Sequence, residues 1–155
     1  MRPGAPISAT WRSNYHLDLF AVGADGKGYN AWWEYQTRWQ DWGVVVDFYI
    51  FTDRINAVYN FLNESIHLVL PTTQVVGGLP MMHTSVWRAA SGWSRWTEPR
   101  WSRNVDSNYH LDFTVRSPMA TCSSHKGLYA VGSTDSRRIR MAKLDYWNFR
   151  DEWKG

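Results

Sequence analysis

The sequence predicts an all-β protein built from a repeated antiparallel unit, and three observations carry that reading. The hexamer SNYHLD occurs twice, at Ser13–Asp18 and at Ser107–Asp112. A triplet spaced W-x5-W-x2-W also occurs twice, as Trp33, Trp39 and Trp42 and as Trp87, Trp93 and Trp96, with a shortened copy at Trp147 and Trp153. Between these landmarks the chain alternates polar and apolar residues in short runs closed by Gly, Asp and Asn, the pattern of half-buried strands joined by tight turns. Landmarks returning about every 50 residues point to four-stranded, β-propeller-like blades. The chain then holds about three units, approximately 8–52, 60–100 and 101–155, in one β-repeat domain.

The first unit is the most regular. In YHLDLFAV, Tyr15, Leu17, Leu19 and Ala21 share one strand face, and His16, Asp18, Phe20 and Val22 share the other. Asp25-Gly26 is a turn signal, because Gly accepts positive φ without a Cβ clash. The run YNAWW returns as a second strand, a third begins at Trp39–Trp42, and Val44–Phe51 supplies a β-branched and aromatic strand. Each tryptophan pair brackets a polar turn, at Glu34–Arg38, Arg88–Gly92 and Asn148–Glu152. A short helix is expected within Asp53–Glu64. In the middle unit the hexamer survives only as the His-Leu of Asn63–Leu70. The third unit is irregular: RSPMATCSSHKG follows the second hexamer, and Leu128–Ser136 reads as a second start of Leu19–Lys27.

Composition narrows the function. The chain carries 11 Trp, 8 Tyr and 6 Phe, with Trp roughly fivefold above ordinary usage. Flat apolar rings suit a β core or a stacking surface. A net charge of +3 is too mild to indicate a nucleic-acid partner, and Ser136–Arg140 reads as a solvated basic strand or turn. The single cysteine, Cys122, excludes an intrachain disulfide and a thiolate metal cage. No apolar run reaches membrane-spanning length, and the first residues lack a signal-peptide core. The expectation is a soluble protein, cytoplasmic or secreted without a leader, with no membrane insertion.

The run SNYHLDLFAVGADGKGYNAWWEYQTRWQDW resembles the repeat of the PLL-type β-propeller lectins. The matching elements are WSRN at Trp101–Asn104, LDLF at Leu17–Phe20, VGADG at Val22–Gly26 and the pair Trp32-Trp33. The likeness is specific over roughly the first 42 residues, fair over 81–115 and poor over 47–80 and 116–143. It implies a seven-bladed fold, sugar pockets between adjacent blades selective for fucose or O-methylated sugars, and no metal or cofactor. Three repeats cannot close seven blades. The expectation is therefore a partial propeller or a homo-oligomer that completes a ring.

On that footing the chain is a non-catalytic, lectin-like carbohydrate-binding protein whose partners are glycans. The alternative is a propeller-like protein-interaction or structural module without sugar binding. A sugar ring needs a flat apolar face for its C–H side and polar groups for its hydroxyls. The candidate ligand residues are Trp33, Trp39, Trp87 and Trp93, of which Trp39 and Trp93 are preferred, with Ser13, Asn14, Ser107 and Asn108 beside them. Ser and Asn before a strand also serve as ordinary turn formers. Trp32 and Trp33 point to opposite faces. His16 and Asp18, repeated as His110 and Asp112, share a strand side. The expected arrangement has the Asp bonded to a neighbouring turn or indole N–H and the His packed beside it. Asp18, Asp25 and Glu34 read as one-per-repeat structural carboxylates rather than a facing hydrolytic pair, so no enzyme activity is expected.

Overall fold

The computed structural model describes residues 4–48, 54–76, 79–95, 119–124, 127–133, 139–145 and 153–154. The described residues are all-β and contain no helix. The first sheet holds β1 (Ser8–Ser13), β2 (His16–Val22), β3 (Gly28–Glu34), β4 (Arg38–Trp39) and β5 (Gly43–Val46). The second holds β6 (Asn56–Asn60), β7 (Ser65–Val76), β8 (Leu79–Arg88) and β9 (Gly92–Trp93). The third holds β10 (Met119–Ser124), β11 (Gly127–Ser133), β12 (Ile139–Asp145) and β13 (Trp153–Lys154). Each sheet is an antiparallel meander in chain order; in the first, β4 and β5 both pair with β3, so the outer strand is broken into two pieces.

Local chemistry explains the turns. Between β2 and β3, Gly26 takes φ 78° while the Gly23 N–H donates to Lys27 O at 2.7 Å. The Lys27 N–H and the Tyr29 hydroxyl both donate to the Asp25 carboxylate, which holds its pKa below the usual value. The tryptophan spacing is a hairpin. Trp33 stands opposite Trp39 and Glu34 opposite Arg38; Trp87 stands opposite Trp93 and Arg88 opposite Gly92. The left-handed position is Arg38 in one copy and Gly92 in the other, at φ 66° and 69°. The third copy departs from this pattern, since Trp153 pairs with Leu144.

Two expectations change. The proposed helix within Asp53–Glu64 is instead strand β6 and a turn: Ala57 and Val58 are buried, and β-branched and aromatic neighbours favour the pleat. The middle hexamer also aligns differently. Because Trp33 and Trp87 occupy one register, Leu17 corresponds to Ile66 and Asp18 to His67, so the surviving His-Leu pair is a coincidence one residue out of phase. In the third sheet the second strand is the LYAVGS run of β11, in keeping with the second start read there in the sequence. The second hexamer, with Ser107 and Asn108, lies outside the described residues.

Alternation sorts the first sheet into two faces. Phe20 and Val22 of β2, with Val46, join Ile55, Ala57, Ile66, Leu68 and Leu70 in one buried cluster against which Trp87 and Trp93 pack. The Phe20 and Trp93 rings meet edge to face, 5.9 Å apart at 88°. The first strands of the three sheets run together through the backbone of Ala57. Its N–H donates to Ser8 Oγ at 3.0 Å, and its carbonyl accepts from Thr121 Oγ1 at 3.3 Å. A Cβ on Gly28 would fall 2.6 Å from Val46 and 2.8 Å from Ile55, so this close approach requires glycine. No helix among the described residues is long and apolar enough to cross a membrane. Phe20→Ala is expected to destabilise the protein by about 3–5 kcal/mol, read as a lower urea midpoint.

Candidate functional site

A cavity of about 350 Å³ opens between the first and second sheets. The first sheet contributes Arg12, His16, Asp18, Asn30 and Trp32; the second contributes Ile66, Trp87 and Trp93. The cavity follows from the face sorting above. Asp18 stands opposite Trp32, and Phe20 opposite Asn30, on the face that looks toward the second sheet. Beyond Phe20 that face turns polar, and the two sheets part.

Arg12 organises the polar side. The register of β1 against β2 shifts between Trp11 and Ser13, leaving Arg12 as the extra residue of a bulge. Bulges re-aim side chains in this way. Its Nε donates to Asp18 Oδ2 at 2.6 Å and its Nη2 to Asp18 Oδ1 at 3.2 Å. This is a two-point pair between a side chain 17% exposed and one 2% exposed. Asn30 Nδ2 lies 3.4 Å from Asp18 Oδ1 and donates to the Leu19 and Ala31 carbonyls. The Arg12 guanidinium also lies over the Trp87 ring, 4.2 Å from its centroid. A carboxylate and an indole face thus hold one cation between them.

His16 completes the cluster. Arg12 Nη2 contacts His16 Nε2, and Asp18 Oδ2 lies 3.6 Å from the same nitrogen. Burial, followed by the Arg12 charge, pushes the His16 pKa below its usual 6.5, against the opposing pull of Asp18 and Glu34. At neutral pH the ring is uncharged and Nε2 accepts from Arg12. Asp18 therefore bonds to an arginine, not to the turn or indole N–H expected of it.

The sequence-derived residues divide. Trp87 and Trp93 line the cavity, with one Trp87 face taken by Arg12. Trp33 lies on the opposite face of β3, edge-on to Trp11 at 6.4 Å, and Trp39 pairs beside it, 54% exposed. Of the adjacent pair it is Trp32 that turns inward. Ser13 Oγ accepts from the Tyr15 N–H, the turn role weighed for it; at the matching corner Asn60 Oδ1 accepts from the Leu62 N–H. Ser13 and Asn14 instead border a second hollow, about 450 Å³, along β1, β6 and β10. Arg12 and Asn30 were not singled out, because a bulge and a cross-strand partner become visible only with register.

The two sheets are alike in frame but not at these positions. By register, His67 replaces Asp18, Thr84 replaces Asn30 and Val86 replaces Trp32, and β6 carries no bulge residue to match Arg12. Neither a family model nor a curated protein matches the chain.

Two outcomes follow. Asp18→Asn is expected to lower stability by about 2–3 kcal/mol, seen in urea unfolding, because it removes the counter-charge of a half-buried arginine. For His16 the folded pKa is depressed. Its contribution is complete above about pH 6.5 and declines as pH falls from there toward the folded pKa. His16→Gln is expected to flatten the fall in urea midpoint across that window, and the His16 ring resonances are expected to titrate below 6.5.

Proposed function

We propose that this protein binds carbohydrate, without catalysis, in the cavity between its first and second sheets. The observation that carries the reading is the pairing there of indole walls with a compact polar cluster. A monosaccharide has one C–H-rich side and a rim of hydroxyls, and it needs both surfaces at once. Trp32 and Trp93 offer the apolar walls, while Arg12, His16 and Asn30 offer donors and acceptors for hydroxyls. The volume falls at the small end of the ~300–1,000 Å³ usual for small-molecule pockets.

The resemblance of the first 42 residues to PLL-type lectin repeats supports the same reading, as does the position of the cavity between two sheets. The three meanders, with their first strands side by side at Ala57, are in keeping with propeller-like blades around an axis. Fucose or an O-methylated sugar is the preferred ligand, since a methyl group adds apolar contact against an indole. A non-catalytic role is in keeping with the carboxylates. Glycoside hydrolysis uses two carboxyl groups about 5–10 Å apart across one bond. Among the described residues lining the cavity Asp18 is the one carboxylate, and Arg12 engages both of its oxygens.

One observation favours a second reading, an interaction or structural module without sugar binding: Arg12 already covers a face of Trp87, as in a closed interface. Titration with L-fucose, methyl-O-fucose and glucose, followed by tryptophan fluorescence, separates the two. Saturable quenching by the first two sugars, weakened at least tenfold by Trp32→Ala, is the expected result. No response to any of the three at high millimolar concentration would overturn the sugar reading.

A further inference from the structure

Asp18 is the fixed point of the cavity's polar wall. Its side chain is 2% exposed, so its charge needs a cation beside it. Arg12 holds that place, with Nε donating to Oδ2 at 2.6 Å and Nη2 to Oδ1 at 3.2 Å. A second group stands within reach. His16 Nε2 lies 3.6 Å from Oδ2 and accepts from Arg12 Nη2. The guanidinium in turn covers one face of Trp87, 4.2 Å from the ring centroid.

We propose that His16 is an acid-operated release for Arg12, and that protonating it uncovers the Trp87 face inside the cavity. The neutral ring takes up a proton at Nε2, the nitrogen that accepts from Arg12. With that proton in place, a donor faces a donor and a cation faces a cation. The acceptor open to the new N–H is Asp18 Oδ2. The exchange leaves the buried carboxylate satisfied, with His16 on Oδ2 and the Asn30 amide, 3.4 Å away, on Oδ1. The charges around the ring favour His16 staying and Arg12 leaving. β2 supplies Asp18, β3 supplies Glu34 opposite His16 in register, and β1 supplies Arg12. The second sheet faces the cavity with Ile66, Trp87 and Trp93, none of them titratable, while Arg88 points to the other face of β8. Tyr59, which interacts with Glu64, lies on the Arg12 side. The imidazolium thus keeps two carboxylates near it. Arg12, the bulge residue, is 17% exposed, and its long stem carries the guanidinium to water. Burial, then the Arg12 charge, holds the His16 pKa below 6.5, so the face is covered at neutral pH and opens in mild acid.

Side-chain protons of Arg12, held over the Trp87 ring, carry an upfield ring-current displacement that NMR of the full chain reads directly, with the signals assigned by their loss in Arg12→Lys. The titration needs no ligand, so the release stands or falls apart from the sugar reading. Between about pH 7.5 and about pH 4.5 the displacement is expected to fall by at least half, with the same midpoint as the His16 ring resonances. In His16→Gln the amide oxygen can still accept from Arg12 but does not titrate, and the displacement is expected to persist across the range. An Arg12 signal that holds its position while His16 titrates overturns the proposal. So does a displacement lost at the same pH in His16→Gln, or unfolding of the wild type, read by circular dichroism, before the Arg12 signal moves. If His16→Gln does not fold, the coincidence of the two wild-type midpoints decides.

Discussion

The contact on which this structure depends is the seating of one sheet's aromatic row on the next sheet's inward face. Ile66, Trp87 and Trp93 reach across to Phe20 and Val22, and the clustered side chains of both sheets are nearly inaccessible. A four-stranded meander alone has two faces and little to bury, so its stability comes from its neighbour. Tryptophan suits this role because it removes the largest area per residue from water and its edge fits a facing ring. The Phe20–Trp93 contact is of that kind. The first strands need a different device, since backbone groups there face one another. Hydroxyls from Ser8 and Thr121 satisfy both polar groups of Ala57 and tie β1, β6 and β10 together.

The cavity arises where that packing stops. At Phe20 and Val22 the sheets close; two and four residues earlier the same face presents Asp18 and His16. A carboxylate so placed requires a cation, and the strand supplies one by an inserted residue. Arg12 then finds Trp87 as its second surface. The polar cluster is thus coupled to the apolar interface: the guanidinium is held by a carboxylate from one sheet and an indole from the other. Separating the sheets would expose both the apolar cluster and a charge pair.

Much of this frame was legible in the chain. The all-β class, the turn at Asp25-Gly26 and the two Trp hairpins follow from alternation, glycine placement and repeated spacing, which are local properties. The sorting of His16, Asp18, Phe20 and Val22 onto one face was also readable, because strand period is local. What failed needed register between strands. The His-Leu match in the middle unit looked like the hexamer but sits one residue out of phase, and a single-residue slip exchanges faces. For the same reason Trp32, not Trp33, turns into the cavity. Arg12 was hidden because a bulge leaves no trace in composition or periodicity. The proposed helix near Asp53 was overridden by burial of Ala57 and Val58 between sheets, a tertiary effect.

The indoles also show that one spacing motif can stand in two different environments. Trp33 and Trp87 share sequence spacing, hairpin register and a tryptophan partner across the turn. Yet Trp87 lies beneath a guanidinium in a cavity, and Trp33 faces outward beside Trp11. Their difference is not in the motif but in what stands opposite. The cavity is lined from the first sheet by Arg12, Asp18, Asn30 and Trp32, none of which the second sheet retains at the matching position. Register, rather than spacing along the chain, therefore locates the positions at which the two sheets differ.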